Sequence, residues 1–178
     1  MRREGPVRER SRSPLRPALA CLVFALGVGH GPAASADWIQ LSQGLPFSDV
    51  YYDFLQSADG RWAVYKQDAE VNSAYELWSV PTFGGTPRRL SALLPSGSEV
   101  ARYRITPDSS RVVYTAPQDT LGVDELYVVP IGGGTSMKLS GPLVAGGEVS
   151  WFDISPDGQW VVYSGRVEST SDYDLYSV

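Results

Sequence analysis

The chain has 178 residues, enough for a domain with a sizeable core, and a formal net charge of −5 from 15 basic and 20 acidic side chains. That balance argues against a nucleic-acid partner, whose phosphates call for a basic surface. A single cysteine and a single histidine exclude an internal disulfide and a zinc site made of several such ligands.

In chain order, the first segment is a leader. Six arginines between Arg2 and Arg16 run into an apolar stretch, Ala18 to Gly29, and then into small residues ending Ala34-Ser35-Ala36. This is the order of a secretory signal peptide, with cleavage expected after Ala36. The apolar stretch is about a dozen residues, short of the roughly 20 needed to span a bilayer. Cys21 lies at its start and not its end, against a lipoprotein signal. Cleavage would remove Cys21 and His30, so residues 37–178 would hold neither residue type, and with it no Cys or His nucleophile–base pair. The leader carries six of the fifteen basic residues and two of the twenty acidic ones, leaving nine and eighteen, a net of −9. No cofactor or metal is expected, and the location is periplasmic or extracellular.

Beyond the leader the sequence repeats with a period of 49 residues. Ser57-Ala58-Asp59-Gly60 returns as Thr106-Pro107-Asp108-Ser109 and as Ser155-Pro156-Asp157-Gly158. Each turn is followed by an apolar run ending in tyrosine: Trp62 to Tyr65, Arg111 to Tyr114, Trp160 to Tyr163. Then come Glu76-Leu77-Trp78, Glu125-Leu126-Tyr127 and Asp174-Leu175-Tyr176. Each unit reads as four short strands, a to d, because runs rich in Val, Tyr, Trp and Ile are punctuated by Gly, Pro, Asp and Ser. Strand a is expected over 51–56, 100–105 and 149–154, and strand d around 88–91. No segment has helical periodicity.

The fold class is therefore all-β, with blades of a β-propeller: a strand d over 38–42, blade 1 over 50–91, blade 2 over 99–140 and a partial blade 3 over 148–178. A sandwich would not need copies in constant register. Three blades leave apolar faces open. The sequence thus implies either the front of a longer chain, whose ring would have six to eight blades, or two chains associating as a homodimer; the stop on a strand favours the first.

The segment Phe152-Asp153-Ile154-Ser155-Pro156-Asp157-Gly158, with Trp160 to Ser164 and Asp174-Leu175-Tyr176, resembles the WD-like propeller repeat of TolB-type proteins. The first two units share the pattern, with Ala58 in place of the proline and Ser109 in place of the glycine. The resemblance implies a periplasmic, non-enzymatic scaffold meeting a protein or peptide partner in the cell envelope. Similar repeats also precede the hydrolase domain of prolyl-oligopeptidase-type peptidases, so an N-terminal piece of such a peptidase is the alternative.

Candidate site residues follow from loop lengths. The a–b turns are tight, and Asp59, Gly60, Asp108, Asp157 and Gly158 are read there as turn formers and not as ligands or acids. The b–c loops are longer and polar, and their Asp68, Glu70, Gln118, Asp119, Glu168 and Asp172 form a candidate partner-binding rim; solvated loops without a partner are the competing reading. No Gly-x-Ser-x-Gly elbow occurs, so no catalytic residue is expected. The repeated aromatics, Trp62 with Trp160, Tyr65 with Tyr114 and Tyr163, and Trp78 with Tyr127 and Tyr176, are expected in the core between blades. Trp38, Trp151 and Tyr51 fall outside this set, where stacking on a sugar competes as a reading.

Overall fold

The structure, a computed structural model, describes residues 38–42, 49–68 and 73–178. The expected leader with its cleavage point, and Glu70, lie outside these residues. The described residues form eleven strands: β1 (Val50–Gln56), β2 (Trp62–Gln67), β3 (Glu76–Pro81), β4 (Arg88–Arg89), β5 (Arg102–Ile105), β6 (Arg111–Ala116), β7 (Glu125–Pro130), β8 (Met137–Lys138), β9 (Val149–Ile154), β10 (Val161–Gly165) and β11 (Asp174–Ser177). They make three antiparallel meanders, β1-β2-β3-β4, β5-β6-β7-β8 and β9-β10-β11, which are the blades of a β-propeller. The first strands of neighbouring sheets, β1 with β5 and β5 with β9, approach one another. They are therefore the inner edges of the blades, and strands d are the outer ones.

The a–b turn is built the same way three times. The Ser57 hydroxyl donates to Asp59 Oδ1 at 2.6 Å and accepts from Trp62 N at 2.9 Å, while Asp59 Oδ1 accepts from Arg61 N at 3.0 Å. Thr106 and Asp108 repeat this set, with Thr106 Oγ1 to Asp108 Oδ1 at 2.6 Å and Arg111 N to Thr106 Oγ1 at 3.0 Å. Ser155 and Asp157 repeat it again. The next residue is left-handed in each copy, at φ 72° for Gly60, 61° for Ser109 and 71° for Gly158. Ser109 carries the cost of a Cβ there, and its hydroxyl accepts from Asp59 N of blade 1 at 3.2 Å. The residue that breaks the glycine pattern therefore ties two blades together.

Strand d is shorter than expected, two residues in β4 and two in β8. A buried serine finishes each connection: Ser91 accepts from Leu77 N and Ser140 from Leu126 N, both at 3.1 Å. Residues 38–42 were expected as a strand d but form none. A d strand bonds to a c strand of its own sheet, as β4 does to β3, and among the described residues no such c strand lies beside 38–42.

The middle sheet buries both of its faces, each against a neighbouring blade. Between blades 1 and 2 lie Val64, Leu77, Leu90 and Leu94 on one side and Tyr103, Val112, Tyr114, Tyr127 and Val129 on the other. One repeat later, Val113 and Leu126, with Leu139 and Leu143, face Phe152, Val161, Tyr163 and Tyr176. The forward face of one blade thus always meets the backward face of the next. Ser79 Oγ crosses the first interface to donate to Ile131 O at 2.6 Å.

The outer faces of blades 1 and 3 have no such neighbour among the described residues. Phe54 is 69% exposed where its repeat equivalents Tyr103 and Phe152 are 4% and 3%, and Leu175 is 77% exposed where Leu77 and Leu126 are fully buried. Trp160, expected in the core, is exposed for the same reason: its equivalent Trp62 rests over Gly132 of the following blade. Leu41 packs with Tyr65, Trp78 and Val80 on the backward face of blade 1, the place its equivalents Leu90 and Leu139 take on the following blades.

Candidate functional site

The b–c loops and the d-to-a connections share one end of the blades. Asp68 Oδ2 accepts from Ser73 N at 2.7 Å and so closes its own loop. Gln118 is engaged on three sides: its Oε1 accepts from Tyr114 OH at 2.9 Å and from Ala92 N at 3.1 Å, and its Nε2 donates to Ser136 Oγ at 3.2 Å. Burial pushes the Tyr114 hydroxyl up to about 12, so it stays a donor to Gln118 across the neutral range. Asp119 lies 3.7 Å from the Lys138 ammonium, which also pairs with the buried Glu125. Glu168 and Asp172 are exposed. The structure places these residues at one end of the blades, and among the described residues no hydrogen bond or ion pair given for them joins two of the three loops.

Other residues at this end were not singled out from sequence. Leu121, at the tip of the second b–c loop, is 73% exposed, and Tyr173 is 52% exposed. The Tyr173 hydroxyl donates to Glu148 Oε1 at 2.6 Å, and Arg166 pairs with the same oxygen at 2.7 Å. Lys66, almost fully buried, reaches Glu99 Oε2 at 3.3 Å and lies 4.1 Å over the Tyr51 ring. Between these two pairs sits Asp124, at the repeat position held by Tyr75 and Tyr173. Burial, and then the charges of Glu148 and Glu99, push its carboxyl above the usual range, against the pull of Arg102.

Toward the inner edges this end continues into a cleft of about 210 Å³, lined by Asp53, Leu55, Ala101, Arg102, Tyr103, Arg104, Trp151 and Phe152. It is made by the inner strands β1, β5 and β9. Tyr103 OH donates to Asp53 O at 2.9 Å and fixes β5 against β1. Arg102 lies over the Trp151 ring at 4.2 Å and donates from Nε to Ser150 O at 3.1 Å, which fixes β5 against β9. Arg104 Nη1 donates to Tyr103 O at 3.1 Å. The sequence carried one signal for this cleft. Asp53, Arg102 and Trp151 occupy a single repeat position with three unrelated side chains, whereas core positions keep their type.

No protein-family model and no curated protein matches the sequence. Solved structures do. A protein assigned as TolB from Agrobacterium tumefaciens aligns with a TM-score of 0.53 and 25% identity, over 72% of this chain and 42% of that one. TolB from Acinetobacter baumannii aligns at 0.50 and 18%, over 68% and 28%. An oligogalacturonate lyase in complex with manganese aligns at 0.56 and 17%, over 76% and 40%. The last two likenesses concern the fold alone. The chain spans less than half the length of each of these proteins and has the fold of a TolB-like β-propeller. Among the described residues no helix is long and apolar enough to cross a membrane.

Proposed function

We propose that this TolB-like β-propeller chain is a non-enzymatic scaffold, exported by its leader to the periplasm or beyond and meeting a protein or peptide of the cell envelope through the b–c loop end. The observation that carries the reading is the likeness to the Agrobacterium TolB over 72% of the chain at 25% identity. Exposed Leu121 and Tyr173, set among Asp68, Asp119, Glu168 and Asp172, give that end a mixture of apolar anchors and acceptors suited to a polypeptide partner.

The test is site-specific photocrosslinking in a Gram-negative host producing the full chain, with probes at Leu121, Glu168 and Asp172 and controls at Asp59 and Gln159 on the opposite end. The expected result is export, a new N-terminus at Asp37, and adducts with one envelope protein from the b–c loop positions only. Retention in the cytoplasm, or adducts from the a–b turn controls alone, overturns the proposal.

A further inference from the structure

We infer that the cleft between the inner strands β1, β5 and β9 is a carboxylate-binding subsite, in which Arg102 and Arg104 hold a carboxylate of the polypeptide partner against the Trp151 ring. The inference rests on the scaffold reading and adds the chemistry of what the scaffold receives.

Arg102 and Arg104 stand two residues apart on β5, so both project to the same side of the strand, roughly 7 Å apart at the backbone. In a chain of net charge −5, four basic side chains are paired with acids, Arg61 with Asp59, Lys66 with Glu99, Lys138 with Glu125 and Asp119, and Arg166 with Glu148, while Arg88 donates to Gly132 O. Arg102 and Arg104 are exposed, and among the described residues no carboxylate comes within ion-pair distance of either. Each donates to a backbone carbonyl, with more of the five N–H groups of a guanidinium left to offer.

The Arg102 plane is held in advance by Trp151 beneath it and Ser150 O beside it, so little rotamer freedom is lost when a carboxylate binds. The volume, about 210 Å³, is below the roughly 300–1,000 Å³ of small-molecule pockets and matches one residue-sized group. Asp53 lines the same cleft. Its negative charge disfavours a bare anion but supplies an acceptor for the N–H of a peptide unit, which selects a carboxylate joined to an amide. Asp153, on the neighbouring strand, spends Oδ1 on Ile154 N at 2.9 Å.

A free C-terminus and a glutamate side chain share this chemistry, and the test separates them. The ¹⁵N-labelled full chain is titrated with three N-acetylated tetrapeptides, all-alanine with a free C-terminal acid, all-alanine amidated, and amidated with one internal alanine replaced by glutamate, while the indole N–H of Trp151, assigned through Trp151→Phe, is followed by NMR. The free acid or the glutamate peptide is expected to shift Trp151 to saturation, with the amidated all-alanine peptide inert, and whichever acid binds names the source. Arg102→Gln with Arg104→Gln is expected to weaken binding tenfold or more while the Trp62 and Trp78 signals stay in place, showing an intact fold. Equal shifts from acid and amide, unchanged affinity in the double variant, or saturation by free galacturonate but by no peptide each overturn the inference. Peptide binding here without loop-end crosslinks would sink the scaffold reading alone, and loop-end crosslinks with an inert cleft would sink the subsite alone.

Discussion

Replacing Leu126 and Leu175 by alanine, one at a time, tests how the blades are held. The two residues share a repeat position on the forward face of strand c, and their side chains are chemically the same. Leu126 is fully buried among Val113, Val149, Phe152 and Val161 of the blade 2–blade 3 interface, whereas Leu175 is 77% exposed. Deleting a fully buried leucine side chain costs about 2–5 kcal/mol, the transfer loss plus the cavity left behind. For a chain of this size each kcal/mol lowers the melting temperature by roughly 3–4 °C, so Leu126→Ala should lose about 10 °C. At Leu175 most of the side chain already meets water, and the cost should stay within about 0.5 kcal/mol, or some 2 °C. Thermal unfolding by far-ultraviolet circular dichroism, checked by urea midpoints and repeated over a tenfold range of protein concentration, measures both. A Leu175→Ala loss equal to that of Leu126→Ala would refute the open forward face of blade 3 and show that it is covered in solution. A small loss at Leu126 would refute inter-blade packing as the source of stability.

The turn aspartates make stability depend on acid. The Ser110 and Thr106 hydroxyls, with the Ser110 N–H, hold Asp108 down at about 2, and hydroxyl bonds from Ser57 and Ser155 lower Asp59 and Asp157. Groups with depressed values stabilise the fold above their unfolded range, and that contribution drains away as pH falls from about 4 toward 2; the melting-temperature gap between wild type and Asp108→Asn should therefore close across that window. Asp124 has the opposite sign: its raised carboxyl destabilises the fold once ionised, so Asp124→Asn should melt higher at pH 7 and lose the advantage below pH 3.8. Gly147→Ala would place a Cβ 2.2 Å from Arg166 O and 3.0 Å from Val144 O, both backbone atoms, and should cost about 2–3 kcal/mol in urea unfolding.

The period of 49 made the blades legible because the demands on each strand recur: a hydroxyl and an aspartate to close the a–b turn, a Val and a Leu for the forward face, a tyrosine for the backward one. β9 runs over the expected residues, 149–154, while β5 starts at Arg102, two residues later than the repeat suggested. The two-residue d strands were overestimated because Leu90 and Leu139 bury apolar surface without extending the ladder, and apolar pattern alone does not separate those roles. Trp160 was misplaced because its burial depends on a neighbour beyond its own unit. The loop acids could be named from loop length, but not that Gln118 would be spent on Tyr114, Ala92 and Ser136. Trp151 stood out because it falls outside the repeated aromatics, but Arg102 and Arg104 beside it went unremarked because a repeat search rewards sameness, and the cleft is where the copies differ.

The forward and backward faces have a consequence for assembly. Because at both interfaces a Val and a Leu of one blade meet tyrosines, with Phe152 at the second, from the next, the contact is head-to-tail, and two identical faces cannot pair across a twofold axis that bisects them. A covering partner must therefore present the opposite face in the same rotational sense. Repeated contacts of this kind end only by closing on themselves. If they fail to close they continue as a filament.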